Sequence, residues 1–108
     1  KFMLPRGLHE RLRPYQRAGV AWMAGLSQNS KGGILGDEMG LGKTVQACAF
    51  LNGIRRSGVR HALVLVPVTL LEQWASEAWE WCSNWPVYIY HGSAAQRARA
   101  LQNVMQPT

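Results

Sequence analysis

The residues with the clearest chemistry lie in a glycine-rich stretch over positions 32–44, which reads GGILGDEMGLGKT. A short apolar run leads into it and an apolar-periodic segment follows it, so the pattern predicts a strand, a turn and a helix. Gly40 and Gly42 would let backbone N–H groups approach phosphate oxygens at the positive end of that helix. Lys43 supplies a cation, and Thr44 supplies a hydroxyl suited to Mg²⁺. The stretch therefore predicts a nucleoside triphosphate site.

The loop departs from the general P-loop spacing, G-x-x-x-x-G-K-[ST], at one position. That spacing requires its first glycine where this chain has Asp37, next to Gly36. A carboxylate beside a triphosphate is electrostatically unfavourable, so a generic phosphate loop does not predict it. An accidental Gly-Lys-Thr sequence in a surface loop is therefore the alternative to a nucleotide site.

The string GDEMGLGKT closely resembles the nucleotide-binding motif of the Swi/Snf-type ATPases, DNA translocases of the helicase-like superfamily. In that family an aspartate is usual at the position of Asp37. The resemblance implies ATP and Mg²⁺ as cofactors, with Lys43 and Thr44 as catalytic residues and Thr44 as the metal ligand. The implied ATP-binding residues of the loop are Asp37, Glu38, Met39, Gly40, Leu41, Gly42, Lys43 and Thr44.

A helix is predicted upstream of the loop, from Pro14 to an end between Ser27 and Ser30, because apolar residues recur there at helical spacing. Its apolar stripe, including Trp22 and Met23, is expected in the core. The segment LRPYQRAGVAWM resembles the family's stretch that recognises the nucleotide base, which implies that Gln16 and Arg13 bind ATP. An amide both donates and accepts hydrogen bonds, as the edge of adenine requires. The alternative is that Gln16 is a solvated surface residue.

Three apolar runs are predicted strands, at positions 34–35, 62–66 and 87–90. They alternate with helices, one of which follows the loop and closes at Gly58, so the order predicts an α/β fold with a parallel sheet. The resemblance identifies it as the three-layer RecA-like P-loop fold, truncated before the DExH-type motif. Residues 1–30 are then an extended lead-in and an adenine-recognition helix, and residues 31–108 form βαβ units.

Two further stretches are candidates for nucleic-acid contact. The stretch VPVTLLEQWASEAWEW resembles the family segment whose loop and helix start contact the DNA backbone, which makes Thr69 a candidate. His91 and Gly92, at the predicted end of the third strand, are the others. The alternatives are that Thr69 only caps a helix, in a capping box with Glu72, and that His91 is a turn residue. A second capping box is predicted between Ser93 and Gln96.

Composition places the chain among folded proteins of one-domain size. It has 108 residues, 47% of them hydrophobic, and a net charge of +6. The positive charge favours a polyanionic partner, although it also serves solubility. Cys48 and Cys82 have neither zinc-site spacing nor a disulfide pattern, and they are expected as buried, reduced thiols. No apolar run has the length of a membrane span, so no membrane partner is expected.

The resemblance implies the ATP-binding part of a DNA-dependent ATPase that translocates on double-stranded DNA and acts in chromatin remodelling or DNA repair. Its implied location is the nucleus in a eukaryote and the cytoplasm otherwise. The segment HALVLVPVTLLEQW and the later segment VYIYHGS look most similar to the Cockayne syndrome group B-like repair branch. A DExH-type acid and an arginine finger are not found in the chain, which starts at Lys1 rather than Met. We therefore expect the N-terminal part of lobe one, inactive alone and paired with a second RecA-like lobe, on DNA or nucleosomes. A small P-loop kinase and a non-catalytic nucleic-acid-binding module are the alternatives.

Overall fold

The computed structural model describes residues 2–36 and 42–105, and the regular structure of these residues is entirely helical. In chain order the elements are α1 (Arg6–Arg11), α2 (Pro14–Gln28), α3 (Lys43–Arg56), a 3₁₀ helix (Val68–Leu70), α4 (Leu71–Trp81) and α5 (Ala94–Met105). Helix α3 packs against both α2 and α4. None of the described helices combines the length and apolar content needed to cross a bilayer.

The predicted parallel sheet is wrong, because residues 2–36 and 42–105 contain no strand. The segments at 34–35, 62–66 and 87–90 lie outside the helices, and Ile34 and Leu65 are 88% and 87% exposed. Apolar, β-branched sequence favours a strand, but hydrogen bonds to a neighbouring strand complete it. These segments do not pair with one another, so the RecA-like α/β architecture with βαβ units is replaced by a helical one. The domain boundary at residue 30 stays a prediction.

The core lies where α2, α3 and α4 meet. Its buried apolar residues are Leu12, Val20, Cys48, Ala49, Trp81 and Cys82. Met23 and Trp74 pack against this cluster while remaining partly exposed. Two hydrogen bonds connect α3 to the end of α4 and the residues that follow it. Asn52 Nδ2 donates to the carbonyl of Trp81 at 3.1 Å, and Trp85 Nε1 donates to the carbonyl of Leu51 at 2.7 Å. The contact between α3 and the end of α4 is therefore stabilised both by buried apolar side chains and by hydrogen bonds that satisfy buried polar groups.

The two cysteines meet inside this core. Both are free thiols and both are buried, which confirms that part of the prediction. A hydrogen bond to Cys82, together with burial, raises the pKa of the Cys48 thiol well above its usual range. Cys48 is therefore a neutral, unreactive core residue at physiological pH.

Helix α1 replaces the extended lead-in that the sequence predicts before residue 11. Its C-terminal carbonyls are satisfied by Arg17 of α2, whose Nε donates to His9 O at 2.8 Å and whose Nη2 donates to Glu10 O at 3.2 Å. The preceding Phe2 ring stacks on Phe50 at 5.9 Å between centroids. Contacts made by α2 and α3 thus stabilise a six-residue helix that local sequence does not signal.

Trp22 is 44% exposed, so its predicted place in the core is wrong. The buried face of α2 runs through Gln16, Val20 and Ala24, which are spaced four residues apart. Trp22 is two residues, or about 200° around the helix, from both Val20 and Ala24. The buried stripe is thus centred on the small and polar residues rather than on the tryptophan.

Two of the three predicted helix starts are present in the structure. Helix α2 begins at Pro14 as predicted, and the Ser93–Gln96 capping box forms, with hydrogen bonds of 2.8 and 3.2 Å. The capping box between Thr69 and Glu72 does not form, because the chain turns through the 3₁₀ helix before α4 begins at Leu71. Thr69 consequently lies inside that turn rather than at the cap position.

Candidate nucleotide-binding site

The N-terminus of α3 has the geometry of an anion site. Gly42 caps it with φ 75° and ψ 44°, a left-handed conformation that favours glycine, and Gln46 N donates to Gly42 O at 3.1 Å. Lys43 and Thr44 follow in the first turn, where backbone N–H groups have no partner within a helix. No acidic residue lies in that turn. The helix start therefore presents positive charge, a lysine and a hydroxyl together.

Gln16 connects this helix start to α2. Its side chain is only 8% exposed, which excludes the solvated surface residue considered above. Its Oε1 accepts a hydrogen bond from the Arg13 backbone N–H at 2.8 Å, within the first turn of α2. Its Nε2 lies against Gly42, since a β-carbon at position 42 would be 2.6 Å from it. A side chain at position 42 would therefore collide with the amide of Gln16 as well as strain the backbone.

The structure thus brings four of the predicted ATP-binding residues into one place: Gln16, Gly42, Lys43 and Thr44. Arg13 lies beside them as the exposed N-cap of α2. The other predicted residues of the loop, Asp37, Glu38, Met39, Gly40 and Leu41, fall outside the described residues. Their roles stay predictions.

The three candidate DNA contacts lie apart from this group along the chain. Thr69 is in the 3₁₀ helix, and His91 and Gly92 precede α5, with Gly92 at φ 100°. All three are exposed, and no hydrogen bond within the described part of the chain links them. The structure leaves them accessible to a partner, and their contact with DNA stays a prediction.

Two residues near the site are not predicted by the sequence reasoning. Gln46, in the first turns of α3, is fully buried, and a β-carbon on Gly19 of α2 would collide with its Oε1. The signal available in the sequence is Gly19 itself, because a glycine inside a helical pattern lowers helix stability and usually has a packing reason.

The residues present are compatible with Mg²⁺ bound together with a triphosphate. Mg²⁺ takes oxygen ligands and keeps several waters and phosphate oxygens, so it needs few protein donors. Thr44 offers such an oxygen from the first turn of α3, where it is partly buried. The position beside Lys43 matches a site in which the phosphates supply most of the ligands.

Comparison with known proteins identifies the class. The model of the SNF2-related domain family matches residues 15–108, which is most of the chain and includes every residue of the site described above except Arg13. The chain belongs to this family. The predicted membership of the Swi/Snf-type ATPases is confirmed.

Individual relatives agree with the family. The chain is 47% identical to the "DNA excision repair protein CSB" of Oryza sativa subsp. japonica, over 84% of this chain and 8% of that protein. It is 41% identical to the "DNA excision repair protein ERCC-6-like" of Mus musculus, over 96% of this chain and 9% of that protein. It is also 41% identical to the "Helicase SWR1" of Gibberella zeae, over 94% of this chain and 6% of that protein.

The first two relatives carry excision-repair names, which confirms the predicted similarity to the Cockayne syndrome group B-like branch. The chain spans less than a tenth of the length of each of the three relatives.

Proposed function

We propose that this chain supplies ATP-binding residues to a DNA-dependent ATPase that translocates on double-stranded DNA, in chromatin remodelling or DNA repair. One observation carries the proposal. The buried Gln16 amide lies against Gly42 at the start of the helix that bears Lys43 and Thr44. A candidate base-recognition residue and a candidate phosphate site are therefore adjacent, although 26 positions separate Gln16 from Gly42 in sequence.

Each residue has a distinct role in this proposal. Lys43 and the first-turn N–H groups of α3 neutralise the β- and γ-phosphates, and Thr44 holds Mg²⁺. The bound ion would spread the negative charge of the phosphates. Gln16 recognises adenine: its oxygen is held by the Arg13 backbone, so its two N–H donors lie on the side of Gly42. Arg13 and the loop residues from Asp37 to Leu41 complete the ATP site.

Equilibrium binding of Mg-ATP to the 108-residue chain tests the nucleotide part of the proposal. We expect saturable binding that Lys43→Ala weakens by about tenfold or more, because a charge-assisted contact to phosphate is lost. Lys31→Ala is the matched control, since it removes the same charge from an exposed position outside the site. Circular dichroism checks that all three proteins are folded. Equal ATP binding by the wild type and Lys43→Ala would refute the proposed site.

The DNA part of the proposal needs the full-length protein. We expect its ATP turnover to rise when double-stranded DNA is added, and to be lost in Lys43→Ala. Turnover that ignores DNA would indicate the small P-loop kinase instead. ATP binding and turnover both absent would indicate a non-catalytic nucleic-acid-binding module.

Thr69, His91 and Gly92 are proposed to contact the DNA backbone. Their exposure supports this, as does the net charge of +6. Replacing Thr69 and His91 together by alanine should weaken DNA binding to a similar extent for all sequences. If the double variant binds DNA at low salt with the affinity of the wild type, Thr69 and His91 do not contact DNA. Nucleosomes as substrate and a nuclear location are part of the same proposal, and a tagged full-length protein in cells tests the location.

A further inference from the structure

Helices α2 and α3 approach each other closely at a glycine. A β-carbon on Gly19 would overlap Gln46 Oε1 and lie 3.0 Å from the carbon that bears this oxygen, so the Gln46 amide rests on the bare backbone of α2. A flexible side chain could move aside at little cost on a surface. Gln46 is fully buried, however, in a core that also contains Val20, Cys48 and Ala49. In a close-packed interior, the Gln46 side chain could make room for a β-carbon on Gly19 only if one of the two helices moved.

This contact lies one helical turn from the candidate nucleotide site on both helices. Gly19 follows Gln16 by three residues in α2, and Gln46 follows Lys43 by three residues in α3. Residues three apart share a helix face. The Gly19–Gln46 contact and the Gln16–Gly42 contact are therefore consecutive points along the same helix pair.

We propose that Gly19 and Gln46 are positioning residues, whose contact sets the distance between the adenine-recognition residue Gln16 and the triphosphate site at Lys43 and Thr44. The inference rests on the proposed function, because it requires adenine to bind at Gln16 on α2 and the triphosphate to bind at Lys43 and Thr44 on α3. ATP must contact Gln16 through its base and Lys43 and Thr44 through its phosphates at the same time, so a change in the spacing of α2 and α3 penalises its binding. A ligand that occupies only the phosphate end is insensitive to that spacing. Displacements of about 1 Å are enough to cost a large part of a positioned interaction.

The test compares two ligands, Mg-ATP and Mg-tripolyphosphate, on Gly19→Ala. The added methyl group forces the helices apart, and we expect ATP affinity to fall about tenfold, since overpacking by one carbon is costly in a close-packed site. Tripolyphosphate affinity should stay within about twofold, because Lys43, Thr44 and the α3 N-terminus are untouched. A purely structural role for Gly19 would lower both affinities together or neither.

Gly25→Ala is the matched control. Gly25 lies in the same helix, and a β-carbon there would meet nothing within 4 Å. Both substitutions raise helix propensity equally. We expect Gly25→Ala to leave both affinities unchanged, so that any selective loss in Gly19→Ala comes from the contact with Gln46.

Gln46→Ala is a second test of the positioning role, and it is the decisive one if Gly19→Ala does not fold. Removing the amide loosens the spacing, so we expect ATP affinity to fall severalfold while tripolyphosphate affinity is kept. In the double variant Gly19→Ala/Gln46→Ala the new methyl group occupies space that the amide vacates. We expect the double variant to bind ATP within about threefold of the wild type, a strong departure from additivity.

The outcomes separate this inference from the proposed function. Selective loss of ATP affinity in each single variant, with recovery in the double variant, supports the positioning role. Wild-type ATP affinity in folded Gly19→Ala and in Gln46→Ala overturns it and leaves the nucleotide site intact. Equal loss of ATP and tripolyphosphate affinity in folded Gly19→Ala also overturns it. A folded wild-type chain that binds neither ligand overturns the proposed function, and this inference with it.

Discussion

Two regions of the chain use their apolar residues in opposite ways. The packed region, residues 2–28, 43–56 and 68–85, contains every buried side chain of the described structure. The open region, residues 59–66 and 86–105, has comparable apolar content but buries none of it: Leu63 is 84% exposed, and α5 has no buried residue. Apolar sequence alone therefore does not create a core here. Packing partners within the chain decide which apolar residues are buried.

The difference also separates two kinds of helix. Helix α3 contacts two other helices, α2 and α4, and the Asn52 side chain hydrogen-bonds to the end of α4. Helix α5 depends on local signals, chiefly the Ser93–Gln96 capping box, and a helix of twelve residues is marginal on such signals alone. The comparison predicts that substitutions in the packed region are costly and that equivalent substitutions in the open region are not.

The largest effect is expected at Trp81, the buried tryptophan at the end of α4. Trp81→Ala removes a large ring from the core and should lower the free energy of unfolding by about 3–5 kcal/mol. Trp79→Ala is the control in the same helix, since Trp79 is 80% exposed and should change stability by less than about 0.5 kcal/mol. Urea unfolding followed by circular dichroism measures both. Similar losses for the two variants would contradict the assignment of Trp81 to the core.

A smaller but still clear effect is expected at Asn52. Its Nδ2 donates to Trp81 O and its Oδ1 accepts from Arg56 Nε, both at 3.1 Å. Asn52→Ala leaves a carbonyl of the α4 end without its donor, which should cost about 1–3 kcal/mol. Asn103→Ala on the exposed α5 is the matched control and should be nearly neutral. If thermal unfolding shifts equally in both variants, Asn52 does not hold α3 to α4.

A third, modest effect is expected at the edge of the packed region. The Arg11 guanidinium lies 4.4 Å from the centre of the Trp81 ring and pairs with Glu80. Both charged groups are about half exposed, so Arg11→Ala should cost only about 1 kcal/mol. Arg6→Ala removes the more exposed pair with Glu10 at 3.5 Å and should cost less. Raising the salt concentration should reduce the difference in unfolding free energy between Arg11→Ala and Arg6→Ala only slightly, because the contact of Arg11 with the Trp81 ring persists. If high salt abolishes this difference, the effect of Arg11 comes from its ion pair alone.

The sequence predicts the parts of the molecule that short-range signals determine. Pro14 gives the start of α2, Gly58 follows the end of α3, and the Ser93–Gln96 pair starts α5. The predicted sheet fails because the pairing of strands is non-local and ALVLV carries no information on whether a partner strand is adjacent. Helix α1 is missed for the same reason, since Arg17 from the next helix stabilises it.

The candidate site divides in the same way. Lys43, Thr44 and Gly42 are identified by spacing, and Gln16 is identified only through the family resemblance. Its burial against Gly42, and the contact of Gly19 with Gln46, depend on how two helices cross. No local pattern encodes that crossing: Gly19 lies at it, whereas a β-carbon on Gly25 in the same helix would meet nothing within 4 Å.

The smallest effect on stability is expected in the open region. Leu63 and Leu65 are 84% and 87% exposed, so their side chains meet nearly the same solvent in the folded and the unfolded chain. Burial stabilises a protein only through surface that folding removes from water. Leu63→Ser/Leu65→Ser should therefore change the free energy of unfolding of the isolated chain, measured with urea, by less than about 0.5 kcal/mol.

The same double substitution should have a clear effect on association. Exposed apolar segments promote contact between chains, and a run such as ALVLV has the composition of an aggregation-prone strand. Light scattering at increasing protein concentration should show less self-association in Leu63→Ser/Leu65→Ser than in the wild type, whereas Trp81→Ala should show more because it exposes the core. A stability loss above about 1 kcal/mol in the serine variant would show that this segment is buried in solution, and the boundary between the two regions would then move to include it.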